Sequence, residues 1–238
     1  IPLRTRDRKK GDTLVIGGGP CSYNPEPIAD FFDIFYMGEG EVSYDALLEL
    51  YKVYKHSDMT REEFLIKVSN IPGLYVPELY EVTYKEDGTI ASFAPRFEDV
   101  PATITKTVVM DHSKVTYPEK PVVSFMKLTQ DRVVLEIQRG CIRGCRFCQA
   151  GMLYRPVRER NVERLKQYAH DMLQNTGHEE ISLSSLSSSD YSELKELVTY
   201  LIDEFKNKGI NISLPSLRID AFSLDVMSKV QDIRKSSL

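Results

Sequence analysis

From residue 132 onward the sequence alternates between short β-branched runs and amphipathic stretches at helical spacing, and no other feature restricts the fold as much. Residues 133–137 predict a strand. Val162, Leu165, Tyr168, Ala169, Met172 and Leu173 recur at i, i+3 and i+4, which predicts a helix stopped by Gly177. Residues 181–186 predict a second strand. Tyr191, Leu194, Leu197, Val198, Leu201, Ile202 and Phe205 predict a second helix, with Ser189 or Asp190 as N-cap and Gly209 as terminator. Residues 210–217 predict a third strand, and Ser223 caps a third helix carrying Leu224, Met227 and Val230. Three β-α repeats of this kind make a parallel sheet with right-handed crossovers. A closed eight-unit barrel takes about 250 residues, so three units make only part of one.

The upstream sequence has a different texture. Residues 13–16 read as a buried strand entering the tight loop Gly17-Gly18-Gly19-Pro20. Residues 31–37 read as another strand, ended by Gly38-Glu39-Gly40-Glu41, and the two suggest the edge of a parallel α/β sheet. Helices are expected over 42–54 and 61–68. Residues 79–84 and 89–93 predict a hairpin across Lys85-Glu86-Asp87-Gly88. Residues 101–121, dotted with prolines and including a strand-like 103–109, read as a linker. The expected organisation is 1–41, 42–125 and 126–238.

A formal charge of −4 over 238 residues excludes a globally basic nucleic-acid binder, though not a local basic patch. No apolar run approaches the roughly 18 residues of a membrane span, so no membrane association is expected. The chain begins at Ile1 rather than Met, which points to a piece of a longer protein. Four cysteines are too few for a disulfide scaffold of this size, and a cytoplasmic location is expected.

Three of those cysteines, Cys141, Cys145 and Cys148, fall within eight residues, in the segment Glu136-Ile137-Gln138-Arg139-Gly140-Cys141-Ile142-Arg143-Gly144-Cys145-Arg146-Phe147-Cys148-Gln149-Ala150-Gly151. Three thiolates at this spacing can hold three corners of a cubane iron–sulfur cluster. Such clusters normally take four, so one iron is left open for chemistry. Gly140, Gly144 and Gly151 are expected to let the loop curl. The loop leaves the C-terminal end of the first predicted strand, the face where such sheets place active sites. A structural zinc site is the rival. It usually needs a second Cys or His pair, and His56, His112, His170 and His178 stand at no ligand-like spacing from the loop. Cys21 reads as a small buried residue rather than a ligand. Glu39 and Glu41 read as turn residues rather than catalytic carboxylates.

The segment resembles the signature of the radical S-adenosylmethionine (SAM) superfamily, C-x3-C-x-aromatic-C, with Phe147 as the aromatic. The resemblance implies a [4Fe-4S] cluster on Cys141, Cys145 and Cys148 whose open iron is chelated by SAM. Reductive cleavage then yields methionine and a 5′-deoxyadenosyl radical that abstracts hydrogen. It also implies that Phe147 lies near the adenine. Ser188, Ser189 and Asp190 stand in the Gly-Gly-Glu-like element that meets the SAM amino group, with serines in place of glycines and Asp190 in the acidic place. A plain helix N-cap is the alternative reading of Asp190. Ser216 and Arg218 end the third predicted strand, where a polar or basic residue can meet the SAM carboxylate; a surface role for Arg218 stays open.

Gly17-Gly18-Gly19-Pro20, then Asn24-Pro25-Glu26-Pro27, then residues 33–41 resemble the last part of a cobalamin-binding domain that precedes the barrel in one radical SAM class. The implied fold is α/β: the C-terminal part of a Rossmann-like cobalamin-binding domain over 1–41, an α+β connector over 42–125, and the first three βα units of a partial TIM barrel over 126–238. Corrinoid binding and a residual element that binds none by itself both stay open. The resemblance is to a bacterial group of fused cobalamin-binding/radical SAM proteins, with Gln130 where a histidine is expected. It implies hydrogen abstraction leading to methyl or methylthio transfer.

Arg139, Arg143, Arg146, Arg155, Arg158 and Arg160 put six positive charges in 22 residues. Either several pair with sheet-end carboxylates or stay solvated, or they form a positive rim that favours the reduced cluster, docks an acidic electron donor such as flavodoxin or ferredoxin, or accepts an anionic substrate. Modification of RNA or protein fits such a rim. The opposing class is a non-catalytic Fe–S or zinc module serving structure or partner binding.

Overall fold

The computed structural model describes residues 1–218, so the helix expected from Ser223, with Leu224, Met227 and Val230, lies outside the described residues. The chain divides into two compact units, Ile1–Val109 and Met110–Leu238. The division falls at 109/110, whereas the sequence suggested boundaries at 41/42 and 125/126.

In the first unit, β1 (Ile16–Gly17) pairs parallel with β2 (Ile34–Tyr36), and β2 pairs antiparallel with β3 (Leu74–Tyr75). The sheet is therefore mixed rather than parallel. The central β2 is fully buried, under α1 (Tyr44–Lys55) and α2 (Arg61–Ser69), which contribute Leu47, Tyr54, Phe64, Leu65 and Val68 to one core. That shared core is why residues 1–41 and 42–109 form one unit. β1 is shorter than the strand expected over 13–16 and half exposed, because an edge strand is covered on one side only. Thr60 starts α2 with a reciprocal capping box: its hydroxyl accepts from the Glu63 amide and the Glu63 carboxylate accepts from the Thr60 amide. β4 (Tyr80–Tyr84) and β5 (Ile90–Pro95) form the expected hairpin. The strand expected over 103–109 is absent; one parallel bridge joins Gly38 to Thr107.

A carboxylate is sealed into this unit. Asp33 is inaccessible to solvent and accepts from Arg8 Nη1 at 2.7 Å, Arg61 Nη2 at 2.6 Å, the Thr5 hydroxyl at 2.8 Å and the Val15 amide at 2.7 Å. Arg61 reaches Glu78 with its other nitrogen at 2.7 Å.

The second unit carries the β-α alternation. β6 (Val133–Glu136), β9 (Glu180–Ser184) and β10 (Asn211–Ser213) form a parallel sheet in that order, with α4 (Val162–Thr176) between the first two strands and α5 (Leu194–Phe205) between the second and third. Val133, Leu135, Ile181 and Leu183 bury against Leu165, Tyr168, Ala169, Leu197, Val198 and Leu201. Asn161 caps α4 by accepting from the Glu163 and Arg164 amides at 2.9 and 3.3 Å; Gly177, with φ 72°, ends it. The expected N-cap of α5 is corrected. Ser188–Asp190 is a 3-10 turn, the helix starts at Leu194 after Glu193, and Asp190 pairs elsewhere. Between β6 and α4 run β7 (Gln138–Arg139), the cysteine loop, the short helix α3 (Ala150–Leu153) and β8 (Arg158–Glu159), with β7 and β8 paired antiparallel.

Candidate functional site

The cysteine loop leaves the sheet at the C-terminal end of β6, and the β7–β8 hairpin closes its base. Gly140, just before Cys141, has φ 82°, and a Cβ there would lie 2.6 Å from the carbonyl oxygens of Tyr154 and Pro156. Only glycine fits this crossing of two backbones. Gly144 meets nothing within 4 Å and Gly151 only ordinary contacts, so the curl rests on Gly140, not on all three glycines.

The three thiols are half-buried and unbonded to one another. The Arg143 amide donates to Cys141 Sγ and the Gly151 amide to Cys148 Sγ, each at 3.4 Å. Hydrogen bonds of this kind stabilise sulfur in its thiolate form and tune a cluster held by it. Among the described residues no three His, Cys, Asp or Glu side chains converge as a metal site. The donor set nevertheless suits the cluster: three thiolates on one glycine-pivoted loop with amide donors already on two sulfurs. Gln138 adds a second observation. Its amide nitrogen donates to the Ser187 carbonyl at 2.8 Å, which fixes which end of the amide faces inward, and its buried Oε1 has no partner. An orphaned buried acceptor costs about 1–3 kcal/mol unless a donor arrives. Its position three residues before Cys141 carries no motif, so sequence reasoning missed it.

The remaining candidate residues gather at the exits of β9 and β10. The fully buried Ser188 donates from its hydroxyl to the Pro215 carbonyl at 2.8 Å and from its amide to the Ser216 carbonyl at 3.2 Å. The Ser189 hydroxyl accepts from the Arg218 amide at 2.9 Å, and Ser216 has φ 60°. Asp190 pairs with Arg143: Nε donates to Oδ2 at 3.0 Å, Nη2 donates to Oδ1, and the Ser187 hydroxyl adds a bond of 2.8 Å. The Arg143 guanidinium holds the Asp190 carboxyl below the usual carboxylate range. Phe147 stands apart on the loop, 92% exposed.

The arginine cluster is mostly an internal framework. Arg158 and Arg160 are buried; Arg158 donates to the Pro156 and Tyr154 carbonyls. Arg160 lies over the rings of Tyr117 and Tyr168, 4.8 and 5.5 Å from their centres, and donates to the Glu136 carbonyl at 3.2 Å. Arg139 donates to the Glu136 carboxylate with Nε at 2.9 Å and Nη2 at 3.0 Å. His112 is enclosed beside them, its Nε2 3.4 Å from Glu136 Oε2 and 3.3 Å from Arg160 Nη2. Burial first, and then the Arg160 charge, push its pKa down to about 4. Glu39 accepts from the Val109 amide at 2.6 Å, tying its turn to a segment 70 positions away. Among the described residues no helix is long and apolar enough to cross a membrane.

Comparison with known proteins gives the setting. The chain is 29% identical over 225 residues to an uncharacterized protein of Methanocaldococcus jannaschii, covering 93% of this chain and 42% of that protein. It therefore spans less than half of that relative's length. Among solved structures it is similar to the radical S-adenosylmethionine methyltransferase TsrM from Kitasatospora setae, solved with cobalamin and a [4Fe-4S] cluster bound: TM-score 0.47 and 13% identity, covering 92% of this chain and 40% of that one. The cobalamin-dependent S-adenosylmethionine radical enzyme OxsB, solved with aqua-cobalamin and S-adenosylmethionine bound, gives a TM-score of 0.46 at 16% identity, over 84% of this chain and 25% of that one. Residues 1–77 match the family model for radical SAM proteins, N-terminal, and residues 135–236, which hold the cysteine loop and the parallel sheet, match that of the radical SAM superfamily. The chain belongs to the radical SAM superfamily.

Proposed function

We propose that the chain is the part of a radical SAM enzyme that holds a [4Fe-4S] cluster on Cys141, Cys145 and Cys148 and takes S-adenosylmethionine as cosubstrate. The observation that carries this reading is the spacing of three thiols on one loop at the C-terminal end of β6, inside the segment matched to the superfamily. Bound together, cluster and cosubstrate supply one-electron reductive cleavage to a 5′-deoxyadenosyl radical. The protein's own part is positional. Gly140 lets the loop cross the 154–156 backbone, the Arg143 and Gly151 amides solvate two of the sulfurs, and Gln138 Oε1 offers an acceptor at the strand exit. Ser189, Ser216 and Arg218 edge the β9 and β10 exits, and the exposed Phe147 is free to pack on an adenine. An acidic electron donor fits the reaction class, with exposed Arg146 as its nearest cation on the loop.

For the longer protein we extend this to hydrogen abstraction in the service of methyl or methylthio transfer. Residues 1–41 are then the end of a cobalamin-binding domain, or a remnant of one that binds no corrinoid by itself. The test is electron paramagnetic resonance of the anaerobically reconstituted, dithionite-reduced chain, with and without SAM. The expected result is a cubane signal that shifts on SAM addition and is lost in Cys145→Ala. Zinc in place of iron overturns the reading and leaves a structural module.

A further inference from the structure

The cysteine loop has almost nothing apolar to hold it down: Ile142 is 63% exposed and Phe147 92%. Its fixed points are polar, and two of them converge on one turn. Gln138, just before the loop, donates to the Ser187 carbonyl, and Arg143, between Cys141 and Cys145, grips Asp190. The turn is itself stiff. The Asp190 amide donates to the Ser187 carbonyl at 3.0 Å, the Ser187 hydroxyl to the Asp190 carboxylate, and Ser188 is stitched to Pro215 and Ser216 at the β10 exit. The Asp190 side chain is 9% exposed and that of Arg143 34%, so solvent screens the pairing only in part.

We propose that Arg143 is a positioning residue. Through Asp190 it latches the cysteine loop to the exit turn of β9, so that Cys141 and Cys145 are held at the mouth of the sheet before any metal arrives. The purpose of the latch rests on the cluster reading above; its existence does not. Asp190 is thereby engaged by the chain's own loop, and a cosubstrate ammonium group has to compete with Arg143 for it. A lysine at 143 would bring the charge without the two-pronged grip.

The test is amide hydrogen exchange on the metal-free 238-residue chain, read at Arg143 and Cys148 in the loop, with Leu183 in β9 as internal reference. Arg143→Gln and Asp190→Asn are each expected to speed loop exchange by roughly 5–30-fold, the ratio that one or two kcal/mol produces, with Leu183 unchanged. Their combination is expected to be no worse than either alone. Arg143→Lys is expected to fall between, and the exchanged pair Arg143→Asp with Asp190→Arg to restore part of the protection. Loop exchange at the wild-type rate in both single variants overturns the latch. So does an effect of Asp190→Asn with none from Arg143→Gln. Iron and sulfide reconstitution is run in parallel. A wild-type chain that takes up no cluster, with the exchange pattern as expected, removes the cluster reading and keeps the latch; uptake with exchange unaffected by the variants does the reverse.

Discussion

Each unit of this chain buries charge, and the two do it on different terms: the first seals a carboxylate together with its Arg8 partner, the second a guanidinium alone. In the first, the anion is sealed: Asp33 is inaccessible and saturated by two guanidinium groups, a hydroxyl and a backbone amide. In the second, the cation is sealed. The Arg160 side chain is fully enclosed under Tyr117 and Tyr168, while Glu136, which answers it, stays 29% exposed at the end of β6. A buried carboxylate needs fixed donors from several directions, and here they tie Thr5, Arg8 and Arg61 into one clasp that stabilises a fold. A buried guanidinium can rest its faces on aromatic rings and leave its partner carboxylate at the surface. That carboxylate then lies on the strand that leads into the cysteine loop.

The contrast predicts its largest effect in the first unit. Asp33→Ala leaves Arg8 and Arg61 without their shared partner and the Val15 amide without its acceptor, and removing one member of a buried pair costs about 3–5 kcal/mol. Urea unfolding followed by hydrogen exchange at Phe64 and Val68 is expected to show that loss, with Leu183 in the second unit unaffected. A loss below about 1 kcal/mol would mean that the clasp is dispensable and the comparison empty.

The next effect is local to the loop. Gly140→Ala forces a left-handed backbone on alanine and drives its Cβ against two carbonyl oxygens, for a cost of about 1–3 kcal/mol. Gly144→Ala, four residues on, meets no neighbour and is expected to change stability by less than about 0.5 kcal/mol. Thermal melts of the two variants side by side check the difference. Equal losses would show that the whole loop, rather than its one crossing point, sets the geometry around the thiols.

The sequence announced the parts of this molecule whose causes are local. α2 falls on the helix expected over 61–68, α4 could be read from Gly177 and the spacing of its apolar residues, and the cysteine loop from its own spacing. What stayed hidden depends on residues far apart along the chain. Asp33 meets Arg8 across 25 positions and Arg61 across 28; Gln138 meets Ser187 across 49. The strand suggested over 103–109 has β-like composition, but only Thr107 finds a neighbouring backbone. The arginine cluster held a signal that its charge density masked. Arg158 and Arg160 alternate with period 2 across β8 and its exit, the spacing of residues that share one face of a strand, and both point inward. Asp190 was open between helix cap and ligand contact because neither reading could foresee Arg143 crossing 47 positions to reach it.

The last effect tests the sealed cation through its neighbour. His112 is enclosed next to Arg160, with Glu136, Arg139 and Arg158 also acting on it, and its folded pKa is about 4 against an ordinary 6.5. The sign follows from proton counting. Above pH 6.5 the ring is neutral in both folded and unfolded chains and contributes nothing. Between pH 6.5 and about 4 the unfolded chain binds a proton that the folded chain refuses, so stability falls as pH falls through that window. Below about 4 the loss is complete. His112→Gln removes the titration and keeps a polar side chain, while every other titrating group is common to both proteins. Urea midpoints measured from pH 7 to pH 4.5 are therefore expected to drop less in the variant than in the wild type. Equal slopes would mean that the ring is protonated in place, accommodated by Glu136 in spite of Arg160; the exposed carboxylate would then govern the cluster, and the second unit would bury its charge on the same terms as the first.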